Sequence, residues 1–179
     1  ILIIQEYIVT TNEVKSKVII IAEAGVNHNG DIDLARKLID TAVNAGANFV
    51  KFQTFKTDNV VSESAGRALY QKKNTADADS SQYNMLKKLE LNESVHYELK
   101  DHCVHKGISF LSSPFDEESI DFLDKLGLEV FKIPSGEITN KPYLQHIAAK
   151  GKPVIMSTGM ANMEEIKEAM TILLETGLE

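Results

Sequence analysis

Short apolar runs alternate with capped, amphipathic segments five times along this chain, and that alternation constrains its fold more than any other feature. Val18–Ala22, Phe49–Gln53, Ile108–Ser113, Leu128–Ile133 and Pro153–Met156 read as strands. The first is a continuous β-branched run, the pattern of a strand covered on both faces as parallel strands are. Helical patterns lie between and after them. Asp31 opens a helix to about Ala45, with Leu34, Leu38, Ala42 and Ala45 on one stripe and Gly46 as its stop. Ser81–Leu89 forms a short helix, and Asn92 caps a longer one carrying Val95, Leu99 and Cys103 on one side. Asp116 caps the next, with Ile120, Leu123 and Leu126 inward, and Asn140 starts another with Pro142 in its first turn. Asn162 with Glu165 makes a capping box before a last helix that turns Ile166, Ala169, Met170 and Leu173 inward.

Strands that alternate with helices build a parallel sheet joined by right-handed crossovers, and ligands bind at the carboxyl ends of its strands. Glu23, Lys51, Gln53, Ser113, Lys132, Ser135, Glu137 and Ser157 all fall at those ends. Two architectures fit five such units. A doubly wound sheet is complete at five strands, whereas a TIM (β/α)8 barrel of about 250 residues needs three more units. The first turn, Glu23–Gly30, lacks a G-x-G-x-x-G or P-loop pattern, and polar residues at every strand end suit a barrel mouth. The expectation is an α/β barrel with about five of eight units present. Residues 1–17 form a peripheral hairpin or arm without chemistry, residues 18–179 belong to the barrel, and Thr54–Ser80 is a long loop whose Tyr70–Thr75 stretch belongs to a substrate lid.

Lysine within an apolar strand points to an anion. Removing an ammonium from water costs several kcal/mol unless a counter-charge or ligand compensates, and Lys132 sits in the middle of Val130–Ile133. A snorkelling lysine on an edge strand is the plainer reading of that stretch alone. The net charge of −7 argues against nucleic acid or an anionic membrane as partner, so an anion is bound locally. Hydroxyls and lysines suit a small phosphorylated or carboxylated substrate, while Glu23 and Glu137 are suited to moving protons. The single cysteine, Cys103, excludes a disulfide framework and reads as core filler. No run reaches membrane-spanning length, and a cytoplasmic location follows as the expectation. A start at Ile1 rather than Met, and an end just after Gly177, suggest part of a longer protein.

Five motifs together resemble the N-acetylneuraminate (sialic acid) synthase family. They are Ile21–Asp31, Val50–Gln53, Phe110–Phe115, Lys132–Glu137 and Met156–Met160. The resemblance runs from about Val18 to the end of the chain. It implies a TIM barrel that condenses phosphoenolpyruvate with an open-chain N-acetylated hexosamine, typically N-acetylmannosamine, giving a nine-carbon keto acid and phosphate. It also implies that Lys51, Ser113, Lys132, Ser135 and Ser157 hold phosphoenolpyruvate, that Gln53 and Asn74 contact the sugar, and that Glu23 and Glu137 manage protons and the attacking water.

A divalent metal, Mn2+ or Mg2+, is implied too, with protein ligands outside this segment, because His28, His96, His102, His105 and His146 do not fit the family's ligand positions. His28 is read as fixing its turn. Phosphate plus carboxylate brings roughly −3, which two lysines beside two glutamates do not neutralise. A homodimer whose C-terminal antifreeze-like domain completes the partner's sugar site is implied for the intact protein. On the residues alone two other readings stay open: a lysine Schiff-base aldolase using Lys51 or Lys132, or an inactive fragment that at most binds an anionic metabolite.

Overall fold

The computed structural model describes residues 2–10, 13–62 and 81–178, with side chains from residue 18 onward. Among the described residues there are six strands: β1 (Leu2–Thr10), β2 (Glu13–Gly25), β3 (Phe49–Thr54), β4 (Ser109–Pro114), β5 (Phe131–Ile133) and β6 (Val154–Met156). The helices are α1 (Ile32–Asn44), α2 (Thr57–Val60), α3 (Gln82–Leu89), α4 (Glu93–Lys106), α5 (Glu117–Leu126), α6 (Lys141–Ala148) and α7 (Met163–Glu175). Five βα units, beginning at β2, β3, β4, β5 and β6, thus follow one another as the alternation requires.

Strand pairing places β1–β2–β3–β4 in one hydrogen-bonded set and β5–β6 in a second. The β1–β2 pair is antiparallel, while β2–β3 and β5–β6 are parallel. Two strands differ in length from their sequence reading by more than one residue, each for a local reason. β2 begins at Glu13 because β1 supplies an antiparallel partner along it, from Thr10 opposite Glu13 to Leu2 opposite Ile21. β5 begins only at Phe131 because Leu128 belongs to the end of α5. Its N–H bonds back to the Leu123 carbonyl and the Gly127 N–H to that of Asp124, with Gly127 at φ +82°. That closure is the Schellman pattern, which needs a residue at positive φ.

The described residues group into two compact units, Ile1–Phe52 with Glu93–Leu111 and Gln53–Asn92 with Ser112–Glu179. In the first, α1 is capped by Asp31, whose carboxylate accepts from the Asp33 and Leu34 N–H groups. Its buried stripe is Ala35, Ile39 and Ala42, one residue on from the expected one. Leu34 and Leu38 are half-buried beside it, and Ala45 is exposed at the C-cap. Leu99 and Cys103 of α4 are fully buried, and burial alone pushes the Cys103 thiol up to about 12, which keeps it inert. Phe52 stacks on Phe110 with centroids 5.7 Å apart, and the buried His96 meets Phe110 edge-on. Across α1 and α4, Asp40 receives Lys106 at 2.9 Å and His102 at 3.0 Å, which hold its carboxyl below the usual range.

His28 organises the turn after β2. The ring is fully buried, its Nδ1 accepts from the Gly30 N–H at 3.0 Å, and Asn29 and Gly30 sit at φ +51° and +80°. An accepting Nδ1 leaves the proton on Nε2, which has no partner among the described residues. Burial lowers the pKa of this imidazole.

Asp116 does the corresponding work in the second unit. One buried carboxylate accepts the Lys56 N–H at 2.8 Å, the Ser119 N–H at 2.9 Å and the Ser119 hydroxyl at 2.7 Å. It therefore ties the segment leaving β3 to the start of α5. Beside it the buried Tyr143 hydroxyl of α6 donates to the Pro114 carbonyl at 2.8 Å. The core of this unit includes Ile120, Leu123, Phe131, Ile133, Leu144 and Ile147, each worth about 1.5–3 kcal/mol on burial. In α7 the capping box of Asn162 and Glu165 is present, and Ala169, Ile172 and Leu173 face inward. Met170, expected inside, is exposed, because Ile172 takes the inward position.

Two stability predictions follow from these nodes. Asp116→Ala should lower the unfolding free energy by about 2–4 kcal/mol, since it removes a cap and strands a buried N–H; a urea midpoint that implies a loss below ~1 kcal/mol would contradict the role. For His28, the unfolded chain takes up its proton first, near the ordinary value of about 6.5, so the stability it contributes is present above that pH and lost as pH falls through and below it. His28→Asn, which keeps an acceptor but cannot titrate, should flatten the acid limb of the stability profile between about pH 7 and 5. An unchanged limb would refute this.

Candidate active site

The first unit contains one of the expected constellations. The regular parallel register of β2 and β3 sets Glu23 directly opposite Lys51, and the ladder shifts only after it, between Glu23 and Gly25. The Glu23 and Lys51 side chains meet at 2.6 Å, with the Lys51 stem buried and the Glu23 carboxylate half exposed at the strand end. Two residues from different motifs are thus joined at the carboxyl end of neighbouring strands.

A second constellation lies in the other unit. Lys132, only 4% exposed, donates from Nζ to the Ile133 carbonyl at 2.7 Å and to the Ser157 hydroxyl at 2.5 Å. The register that places Lys132 beside Ile155 and Ile133 beside Met156 brings Ser157 just past the end of β6 within reach. The snorkelling alternative does not hold, because the whole side chain is covered. Ser113 is buried at the end of β4. Its neighbour Ser112 pairs instead with Thr54, hydroxyl to hydroxyl at 2.7 Å, and the two serines face opposite sides of the strand. Ser135 opens a one-turn 3-10 segment, Ser135–Glu137, and is half-buried.

Glu137 closes that segment and lines a cavity of about 400 Å³ together with Gln53, Asn59, Gln82 and Asn140. Phe55, Val60, Leu86 and Phe115 supply its apolar side. Asn140, the N-cap of α6, turns its Nδ2 back to donate to Glu137 Oε2 at 2.8 Å, while its Oδ1 accepts the Tyr143 N–H. The cap therefore also orients the carboxylate. Burial, together with the charges of Glu137 and Asp116, pushes the Tyr143 phenol up, so it stays protonated as a donor to Pro114.

Six of the expected residues thus fall into three groups: Glu23 with Lys51, Lys132 with Ser157, and Gln53 with Glu137. Asn74 lies outside the described residues, as does the Tyr70–Thr75 stretch. Sequence reading missed Asn140 as the partner of Glu137, although an N-cap asparagine three residues after a rim glutamate was a usable signal. It also missed Asn59, because an unbroken loop was expected where α2 stands, and it read Gln82 only as part of a helix and Asp116 only as a cap, without its bond to the Lys56 N–H.

The described residues alone do not make a metal centre. No three His, Cys, Asp or Glu side chains among them gather to hold an ion. The rim carboxylates are engaged, Glu23 by Lys51 and Glu137 by Asn140, and His28 uses its accepting nitrogen within its own turn. No step is therefore drawn through a metal.

Residues 38–179 match the model of the NeuB family. The chain is 57% identical over 161 residues to the N,N'-diacetyllegionaminic acid synthase of Campylobacter jejuni, covering 90% of this chain and 48% of that protein. It is 56% identical over 151 residues to the synthase of the same name from Legionella pneumophila, covering 84% and 42%. The crystal structure of N-acetylneuraminic acid synthetase from Leptospira borgpetersenii superposes with a TM-score of 0.76 at 31% identity, covering 97% of this chain and 57% of that one. The chain spans about half the length of the curated relatives it matches. Its fold is about five units of a TIM barrel rather than a complete doubly wound sheet. By the extent of the family match and its identity to these synthases, the chain belongs to the NeuB family.

Proposed function

We propose that the intact protein containing this chain condenses phosphoenolpyruvate with an open-chain N-acetylated hexosamine, giving a nonulosonic acid and inorganic phosphate. The observation that carries this reading is the covered Lys132 ammonium held by Ser157, two residues from separate motifs joined at adjoining strand ends. A fully covered cation at that place is suited to the phosphate or carboxylate oxygens of such a substrate. Relatives at 57% and 56% identity named as N,N'-diacetyllegionaminic acid synthases favour a sugar with two acetamido groups over N-acetylmannosamine. A cytoplasmic location and a homodimer belong to the same reading.

C3 of the enol forms a bond to the aldehyde carbon, whose oxygen takes up a proton. Water adds at C2, and the bond from C2 to the bridging oxygen then breaks, so phosphate leaves with that oxygen and a keto acid remains. Lys132, Ser157, Ser113 and Ser135 bind the anionic oxygens, and Lys51, paired with Glu23, adds a further ammonium. Glu137, oriented by Asn140, takes the proton of the attacking water, and Glu23 serves the sugar oxygen. Gln53, and Asn74 from the long loop, contact the sugar. A Schiff-base role for Lys132 is disfavoured, because an ammonium donating to two oxygens is a poor nucleophile.

Phosphoenolpyruvate labelled with 18O at its bridging oxygen tests the bond order. The label should appear in the released phosphate, and its retention in the keto acid would overturn the mechanism. Replacing Lys132 by Ala should raise the KM for phosphoenolpyruvate about tenfold or more, ~1.4 kcal/mol, while the KM for the sugar moves less than about threefold. Equal effects on both substrates in steady-state kinetics would remove Lys132 from the anion site.

A further inference from the structure

Where β3 and β4 end side by side, two hydroxyls meet in a place that apolar side chains could fill. Thr54 is 5% exposed and Ser112 fully covered, and their side-chain oxygens stand 2.7 Å apart. Burying a hydroxyl is costly unless it is bonded, so this pairing offsets a cost that a valine and an alanine would not incur. What a hydroxyl pair adds over apolar packing is geometry. It holds at one spacing of the two strands, whereas methyl groups in contact tolerate sliding. The main chain reinforces the same spacing: the Phe115 N–H donates to the Thr54 carbonyl at 3.0 Å, and just beyond, the Lys56 N–H donates to the Asp116 carboxylate at 2.8 Å.

The position of the pair within the strands gives it reach. Gln53 precedes Thr54 on β3, and Ser113 follows Ser112 on β4. Successive side chains of a strand alternate, and Thr54 and Ser112 share a face because their hydroxyls meet, so Gln53 and Ser113 both turn to the opposite face. Gln53 lines the cavity that holds Glu137, and Ser113 is buried at the end of its strand. In the condensation reading these two residues serve different substrates, Gln53 the sugar and Ser113 phosphoenolpyruvate. The hydroxyl pair lies behind both and touches neither substrate.

We propose that the Thr54–Ser112 hydrogen bond sets the distance between the two substrates, which makes Thr54 and Ser112 positioning residues that govern kcat rather than affinity for either substrate. The inference rests on the condensation reading above and deepens it. Bond formation between two bound molecules needs their reacting atoms about 3–3.5 Å apart, and a misplacement of about 1 Å costs on the order of 100-fold in rate. Each substrate meanwhile keeps its own contacts when the strands shift slightly, so its binding is spared.

The test uses the intact protein with manganese, phosphoenolpyruvate and whichever of N-acetylmannosamine and 2,4-diacetamido-2,4,6-trideoxymannose the unmodified protein turns over faster. Thr54→Val and Ser112→Ala should each lower kcat about tenfold or more, with both KM values within about threefold of the parent. Thr54→Ser keeps a hydroxyl at this place and should hold kcat within about threefold. Each of the first two variants leaves a hydroxyl without its partner and should melt earlier, while the double variant Thr54→Val with Ser112→Ala removes both and should recover most of the parental melting temperature. Its kcat should stay as low as in the single variants, because the same bond is missing. Calorimetric titration with phosphoenolpyruvate should give the double variant the parental stoichiometry, so that inactive protein does not account for its slow turnover. A double variant that regains parental kcat together with its melting temperature reduces the pair to packing and overturns the proposal, as does a loss carried by the KM of either substrate. Should a single variant not fold, the double variant and Thr54→Ser decide on the same criteria. Absence of phosphate release by the unmodified protein with either sugar is a separate result, which removes the condensation reading and the positioning role with it.

Discussion

An ammonium group cannot sit within an apolar strand unless oxygen atoms surround it, and the Lys132 end of β5 is arranged around that requirement. The ammonium takes the carbonyl of its own strand neighbour and the hydroxyl just past β6. Both depend on the parallel β5–β6 register, since a slip by one residue would carry Ser157 away and turn the lysine to the other face. The register in turn depends on Phe131 and Ile133, which are fully buried and hold β5 against the core of their unit. A functional group and the packing that fixes it are thus set by the same three residues of strand.

The Glu23–Lys51 pair solves the same problem in the other unit by a different route. There the compensating oxygen is a carboxylate, set opposite the lysine by the regular parallel register that ends in the irregularity between Glu23 and Gly25. Irregularities of this kind re-aim side chains next to sites. The buried His28 that follows keeps the chain in its tight turn by accepting a single N–H, and an unpaired Nε2 is the cost. In each unit the strand end is kept in place by one polar atom in the connection that follows.

The amide-lined cavity differs in character from both lysine sites. Its walls come from α2, α3 and the ends of β3, β4 and the 3-10 segment, and the Asp116 carboxylate links the backbone of those connections. Asn140 serves the helix and the site at once, since the oxygen that caps α6 and the nitrogen that orients Glu137 belong to the same amide.

Periodicity and capping chemistry made the five βα units legible: Asp31, Asp116, Asn140 and the Asn162–Glu165 box all cap as their residue types dictate. The candidate residues at the strand ends were legible for the same reason, because alternation alone puts them at one end of their strands. Helix rotation was not: of the stripe expected for α1 only Ala42 is buried, and Ala35 and Ile39 take the places of Leu34 and Leu38. Where small and large apolar residues adjoin, as in Leu34-Ala35 and Leu38-Ile39, the available neighbours decide which pair turns inward. By itself, then, the sequence determined the order of elements, their caps and which residues stand at strand ends, since these depend on local backbone chemistry. Only the tertiary structure decided that Lys132 meets Ser157, that Asn140 holds Glu137 and that four amides share a cavity with Phe55 and Leu86. Such pairings depend on strand register and on the course of connections through space, which no local pattern encodes.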